Sequence, residues 1–488
     1  MEALRYIFWV FCLVQIITVN GKPDFATSFQ FSSTTSISRL SNDISTLFAS
    51  MDDELHFMLS GSIPDSETQR QLLAGFSEDF GVRGRAVTDQ LAASASSMSS
   101  MGTTLGMVLT AYNQLVVYFN SNANNFLGLT NIEVGSYAAR EFYNGLVRLV
   151  TSLPAVRVAV QMLQASLQTA TTEEDVSRDV LRSLIRALQQ LKAHLPLLVY
   201  TFQRIGVNIQ TADIYMVLFN QDLQTLSSDF MDEVVAFNGQ LAAFETAVGI
   251  TFVSVEEMFD NAGTQLDTEL TGDVESQTNF MQLQTELKTF TSDRSMFLQG
   301  MGEAMLPVST NYQQSLEYAV TNTYYVDGSY TLDFLALELV MQLITSGVYD
   351  RLCYNKYAAL VADLPSLGRI RLNECFHTEL PRLRKLQKLI QTYTLMVSYD
   401  VEDLLLNLKP CRSEYAASDC LSVIAAFYTQ LYAARASDSA ARTENFFTSA
   451  LSASLNRVGL CFTRTNFFTF QNLVPSLEQG MRSCPRLS

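Results

Sequence analysis

Tryptophan, histidine and proline are all scarce in this chain. Its 488 residues include one tryptophan, Trp9, three histidines (His56, His194 and His377) and 10 prolines. No proline falls between Pro64 and Pro154 or between Pro196 and Pro307, and glycine numbers only 22. A fold with many turns needs these breakers, so their absence over such stretches points to long uninterrupted helices. The strings of common active sites are missing too: there is no CxxC, HExxH, GxSxG, GxGxxG or phosphate-binding loop. His194 follows Leu191 by three positions, beside an apolar stripe, and reads as a packed structural histidine. Asp52/Asp53 and Glu256/Glu257 are adjacent in sequence and point different ways on a helix. A two-carboxylate glycosidase site forms only in the fold, so spacing does not exclude it. Such sites use aromatic platforms, and the chain has no tryptophan beyond Trp9. The expectation is a non-enzymatic protein with no cofactor and no metal. No N-x-[ST] sequon occurs, so N-linked glycans are not expected.

Long hydrophobic runs are also few. Tyr6–Val19 is mostly apolar, Arg5 precedes it, and Val19 and Gly21 are small enough for cleavage before Lys22. Residues 1–21 therefore read as a secretory signal peptide, too short to span a bilayer. No later run of 18 apolar residues exists. Leu332–Tyr349 comes nearest, and Asp333 and Glu338 interrupt it. The expectation is a secreted, extracellular protein without a transmembrane segment.

Basic residues are missing from a large part of the chain. The net charge is −17, and residues 205–350 hold 21 acidic residues against Lys288 and Arg294 alone. Nucleic acid wants a basic footprint, so it is excluded as a partner. A solvated acidic helix face is the plain reading. A basic protein partner, or the chain's own C-terminal region, is the sharper one. Calcium has no EF-hand loop to bind, because the string around Asp327 lacks the alternating ligands. Residues 353–488 reverse the balance, at net +4. There Pro381 reads as the first position of a helix. Arg382, Arg384, Lys385 and Lys388 follow, interleaved with Leu383, Leu386, Leu389 and Ile390. This is a basic amphipathic helix, suited to a core-facing surface, an acidic partner or an anionic membrane.

What the chain does have is helical periodicity. One apolar series runs Ile37, Leu40, Ile44, Leu47, Met51, Leu55 and Met58. A second runs Leu181, Leu184, Ile185, Leu188, Leu191 and Leu195, with Thr171 and Glu174 placed as a capping box. A third runs Leu223, Leu226, Phe230, Val234, Phe237, Leu241, Phe244 and Val248. A fourth runs Phe280, Leu283, Leu287, Phe290 and, past Arg294, Phe297. Such stripes are bundle or coiled-coil seams before they are lipid-facing surfaces. The small-residue stretch Leu91–Thr104 reads either as a linker or as a close-packing helix. Met98, Met101 and Met107 favour the helix.

Apart from Cys12, the cysteines are Cys353, Cys375, Cys411, Cys420, Cys461 and Cys484, an even number in the last part of the chain. That is a disulfide framework of an oxidising compartment. Zinc is disfavoured, because His377 is the region's only histidine. Six cysteines allow fifteen pairings. The spans 353–375 and 461–484 are nearly equal in length. Two antiparallel helices would then join Cys353 to Cys484 and Cys375 to Cys461, leaving Cys411 and Cys420 as a local loop. Pro365 and Gly368 threaten to split the first span.

The order C-x21-C, C-x8-C, C-x22-C with long helical spacers, opening on CYNKYAAL at 353–360, resembles the TsetseEP domain of secreted insect proteins. The likeness covers about 130 residues, and the Glu-Pro tail of the family's namesake is absent here. It implies a secreted insect protein of gut lumen or another epithelial secretion, with no assigned catalytic residues.

The expected architecture is all-α. A signal peptide (1–21) precedes an N-terminal helical region (22–205), an acidic helical region (206–350) and a six-cysteine helical domain (351–488). The leading expected role is a structural or protein-interaction protein that also self-associates. The alternative is a carrier of lipid or another small apolar ligand between amphipathic helices. A third is a helical pore-former, for which an apolar hairpin able to insert is the missing sign.

Overall fold

The computed structural model describes residues 24–95, 101–269, 280–320, 329–346, 351–411, 417–435 and 438–484. Several sequence expectations lie outside these residues: the signal peptide, the centre of the small-residue stretch, the Asp327 string and most of the Cys411–Cys420 loop. The side chains of the Phe280–Phe297 seam lie outside them as well. Among the described residues there is no strand, and the fold is all-α.

The helices are α1 Thr34–Ala49, α2 Ser66–Ala95, α3 Met101–Glu133, α4 Ser136–Thr169, α5 Arg178–Glu269, α6 Phe280–Val320 and α7 Ser329–Thr345. Then come α8 Leu352–Ala362, α9 Leu364–Cys411, α10 Ala417–Arg435, α11 Asp438–Asn466, a π-helical segment Phe467–Leu473 and α12 Val474–Arg482. α5 is one helix of 92 residues that continues through Pro196. The expected boundary at 205/206 falls inside it.

The chain forms two compact units. The first takes the described residues up to Asn220, together with Ala336–Leu360 and those from Gly480 onward. The second takes Gln221–Leu335 and Val361–Gln479, so the expected block 351–488 is divided between the two.

In the first unit, α1 to α4 and the first part of α5 pack around phenylalanines. Phe76 stacks on Phe126 with ring centroids 4.1 Å apart, and Phe142 meets Phe202 at 4.6 Å. The 181–195 stripe is core as read, with Leu181, Leu184, Leu188, Leu191 and Leu195 buried. The first stripe needs correction. Phe48, not Leu47, enters the core, and Met58 is almost fully exposed, because α1 stops at Ala49 and its period stops with it. The capping box also moves by one residue. Thr172 pairs with Asp175, whose carboxylate accepts from the backbone N–H of both Thr171 (2.8 Å) and Thr172 (2.7 Å). Those bonds hold the Asp175 carboxyl at about 2. The later segments of this unit are tied in by polar contacts. Asn208 Nδ2 donates to Leu343 O at 3.3 Å, Tyr215 Oη to Ala358 O at 2.9 Å and Arg482 Nε to Glu338 at 2.7 Å.

α1 approaches α2 over Gly81 and Gly84. A Cβ on Gly81 would sit 2.7 Å from Phe48 O, and one on Gly84 would overlap the Phe48 ring. Exposed Gly→Ala changes in helices are usually stabilising. Gly81→Ala is instead expected to destabilise the first unit by about 1–3 kcal/mol, because a backbone atom blocks the methyl. Urea unfolding measures this, and a gain in stability would contradict the close approach.

α4 is long and apolar enough to cross a membrane by length and composition, the one such helix among the described residues. The sequence expectation instead places the nearest apolar run at Leu332–Tyr349; α4 carries Arg148 and Arg157 within its apolar stretch. A little under half of its most apolar window is buried.

In the second unit, the Phe230–Val248 stripe is buried and continues through Phe252, Val255 and Phe259. It packs with α6, α9 and α11, with Phe237 and Phe376 centroids 4.8 Å apart and Phe376 and Phe462 5.4 Å apart. The break foreseen near Pro365 lies at Asp363, between α8 and α9. Pro381 does not start a helix. It sits within the 48 residues of α9, because the hydrophobic face of 372–390 keeps the helix running past it.

Candidate functional site

The six expected cysteines pair in the nested order. Cys353 at the start of α8 joins Cys484 after α12, with Cα atoms 5.9 Å apart. Cys375 of α9 joins Cys461 of α11 at 5.8 Å, and Cys411 at the end of α9 joins Cys420 of α10 at 5.5 Å. The first bond lies within the first unit and the other two within the second. Three disulfides are consistent with an extracellular compartment.

Beside the second bond sits a buried carboxylate. Only 2% of the Glu379 side chain is exposed, yet Arg457 grips it. Arg457 Nε donates to Oε1 at 3.1 Å and Oε2 at 3.0 Å, and Nη2 also donates to Oε1. Arg382 Nη1 adds a bond to Oε2 at 3.0 Å. Burial pushes the Glu379 carboxyl up, but the bonds from Arg457, Ser454 and Arg382 outweigh it and hold the group below its ordinary value. Tyr312 shares Ser454 at 3.4 Å, and burial pushes its phenol up to about 12. This cluster fastens α6, α9 and α11 to one another. It was not visible in the sequence, where Glu379 is one acid of many.

The basic run beyond it is a surface helix face. Leu383 and Ile390 are buried, Leu389 is half exposed, and Arg384 reaches Gln240 at 3.3 Å. Part of the acidic stretch does pair with the C-terminal region, since Arg369 Nη1 meets Asp229 Oδ2 at 2.6 Å.

An apolar cleft of about 260 Å³ opens between α5, α6 and α11. Phe244, Val248, Phe252, Met305, Leu306 and Leu451 form its walls, and Gly249 and Gly302 leave the space that side chains would fill. Glu245 stands at this cleft, and burial pushes its carboxyl up. Known ligand pockets run from about 300 to 1,000 Å³. This cleft is half open and sits just below that range, so it suits a single ring or a short alkyl chain better than an enclosed lipid.

The histidines do not converge. His56 Nε2 lies 3.0 Å from Asp52 at the surface, His194 Nδ1 lies 3.2 Å from Arg148 O, and His377 is exposed. Among the described residues no three His, Cys, Asp or Glu side chains group to hold a metal ion. Glu257 and Glu402 share a polar surface cleft with Ser254, Asn261 and Gln265. No family model, curated protein or solved structure matches this chain.

Proposed function

We propose that this is a secreted, non-enzymatic interaction protein whose acidic helix face binds a basic partner. The carrying observation is the outer side of α5 beyond Asn220. Asp222, Asp232, Glu257 and Asp260 are exposed there, alongside Asp229 and Asp267, which pair with Arg369 and Lys288, and no lysine or arginine occurs between Arg204 and the end of α5. Met231, Val235, Ile250 and Val253 are exposed on the same segment, which gives a partner apolar contact as well as charge. Secretion rests on the N-terminal apolar stretch and the disulfides. The cysteine order that resembles the TsetseEP domain supports an insect epithelial or gut-lumen setting.

The 260 Å³ cleft favours a second reading, a carrier of a small apolar molecule. Native mass spectrometry of the protein secreted from insect cells separates the two. The expected result is a mass with three disulfides and no ligand, and capture of basic proteins that weakens as salt is raised. Extra mass that leaves on denaturation and matches an apolar small molecule would establish the carrier instead.

A further inference from the structure

One surface of this acidic chain carries few acids. From Gln90 to Ile132 there is not a single charged residue, and between Glu141 and Glu173 the only ones are Arg148 and Arg157. The structure turns this stretch into a helical hairpin. α3 and α4 are antiparallel neighbours in the first unit, joined at Gly135, whose φ of 126° needs glycine.

The inner sides of the hairpin are core, with Leu105, Leu115, Phe126, Phe142, Leu149 and Leu163 buried. The outer sides are not polar in the usual way. Along α4, Tyr143, Val147, Val150, Val158 and Met162 are all about half exposed, and with Pro154 they recur every three or four residues as one stripe. α3 adds Val117 and Ile132, exposed by 65% and 75%. Met107 and Leu129 are exposed there as well, and the other exposed positions of α3 are asparagine, glutamine, serine, threonine and glycine. The fixed charges on α4 are Arg140, Arg148 and Arg157 with the half-buried Glu141, and none of the three arginines pairs with a carboxylate among the described residues.

Surfaces of soluble domains usually mix both signs of charge at high density. A face with an aliphatic stripe and flanking arginines, whose carboxylates are only the half-buried Glu133 and Glu141 near the turn of the hairpin, is close in composition to helices that lie in a membrane interface. It is also the place where a chain of net charge −17 can meet an anionic surface without repulsion.

We infer that the outer face of the α3–α4 hairpin docks the protein onto bilayers that carry anionic headgroups. The stripe from Tyr143 to Met162 sits at the level of the acyl boundary, and Arg148 and Arg157 meet the lipid phosphates. The bundle remains folded, because the stripe is already outside. This goes beyond the proposed protein partner and does not depend on it.

The test is co-flotation of the full secreted protein with vesicles of phosphatidylcholine alone, or with about one third phosphatidylserine. The protein is expected to float with the anionic vesicles and stay behind with the neutral ones. Each basic residue near an anionic surface contributes about 1 kcal/mol. Arg148→Gln/Arg157→Gln should therefore weaken binding roughly 30-fold and flatten its salt dependence. Val150→Asp/Val158→Asp should weaken it at least tenfold with an unchanged circular dichroism spectrum, since both sites are exposed. No flotation of the wild type, or variants that float equally well, would overturn the proposal. So would a wild-type dimer that Val150→Asp/Val158→Asp turns into a monomer without any vesicle binding, which would assign the face to a second copy of this chain.

Discussion

Replacing Arg457 with methionine is expected to lower the stability of the second unit by about 3 kcal/mol. Removing one partner of a buried ion pair typically costs roughly 3–5 kcal/mol, because the other charge is left uncompensated. Here the stranded group would be Glu379, which has almost no contact with solvent. The low end of the range applies for two reasons. Arg382 and Ser454 would still reach the carboxylate, and 43% of the Arg457 side chain is exposed, so water already screens it. The double variant Glu379→Gln/Arg457→Met removes both charges and should recover most of the loss. Hydrogen exchange read on peptides of α9 and α11 isolates this unit from the other. A double variant no more stable than Arg457→Met would show that the pair is not what holds these helices.

The pH dependence follows from the same contact. The Glu379 carboxyl is held below its ordinary value in the folded state. Its contribution is therefore full above the unfolded value of about 4.3 and is lost as pH falls through the folded value. The wild-type second unit should weaken on acidification below about pH 4, and the double variant should lose less over the same window.

The helices were legible because their cause is local. Phe230, Val234, Phe237, Leu241, Phe244 and Val248 declare a buried face by spacing alone, and that face is buried. The nested cysteine pairing agrees with the option that two nearly equal spans suggest, although spacing leaves fifteen pairings open and the first span is broken at Asp363. The two-unit division was not legible. It depends on α5 running through residue 205 and on α7 and α12 being shared between units, and both are decided by distant packing. Met58 failed for a similar reason: a period says nothing about where the helix ends. The cleft needs Gly249 opposite Gly302, a juxtaposition that no single stretch contains. The lack of charge was written plainly in residues 90–132, but as an absence, and its meaning required knowing which side faces out.

Breaking the long-range disulfides one at a time should loosen different parts of the molecule. Cys375–Cys461 closes a separation of 86 residues and Cys353–Cys484 one of 131. Chain entropy assigns each about 4–5 kcal/mol, against about 2.5 for the nine-residue separation of Cys411–Cys420. The two long bonds are nested, so each shortens the loop that the other closes, and losing both should cost less than the sum. Cys375→Ala/Cys461→Ala is expected to lower protection in α9 and α11, where the bond joins them directly. Cys353→Ala/Cys484→Ala is expected to lower it in α8 and in α7 beyond Ala336, where Glu338 also holds Arg482. A single C-terminal domain spanning 351–488 would behave otherwise, with either double variant weakening the whole stretch to the same degree. Equal loss of protection across 351–484 in both variants would therefore restore the sequential boundary, and separate losses would leave the two interleaved units in place.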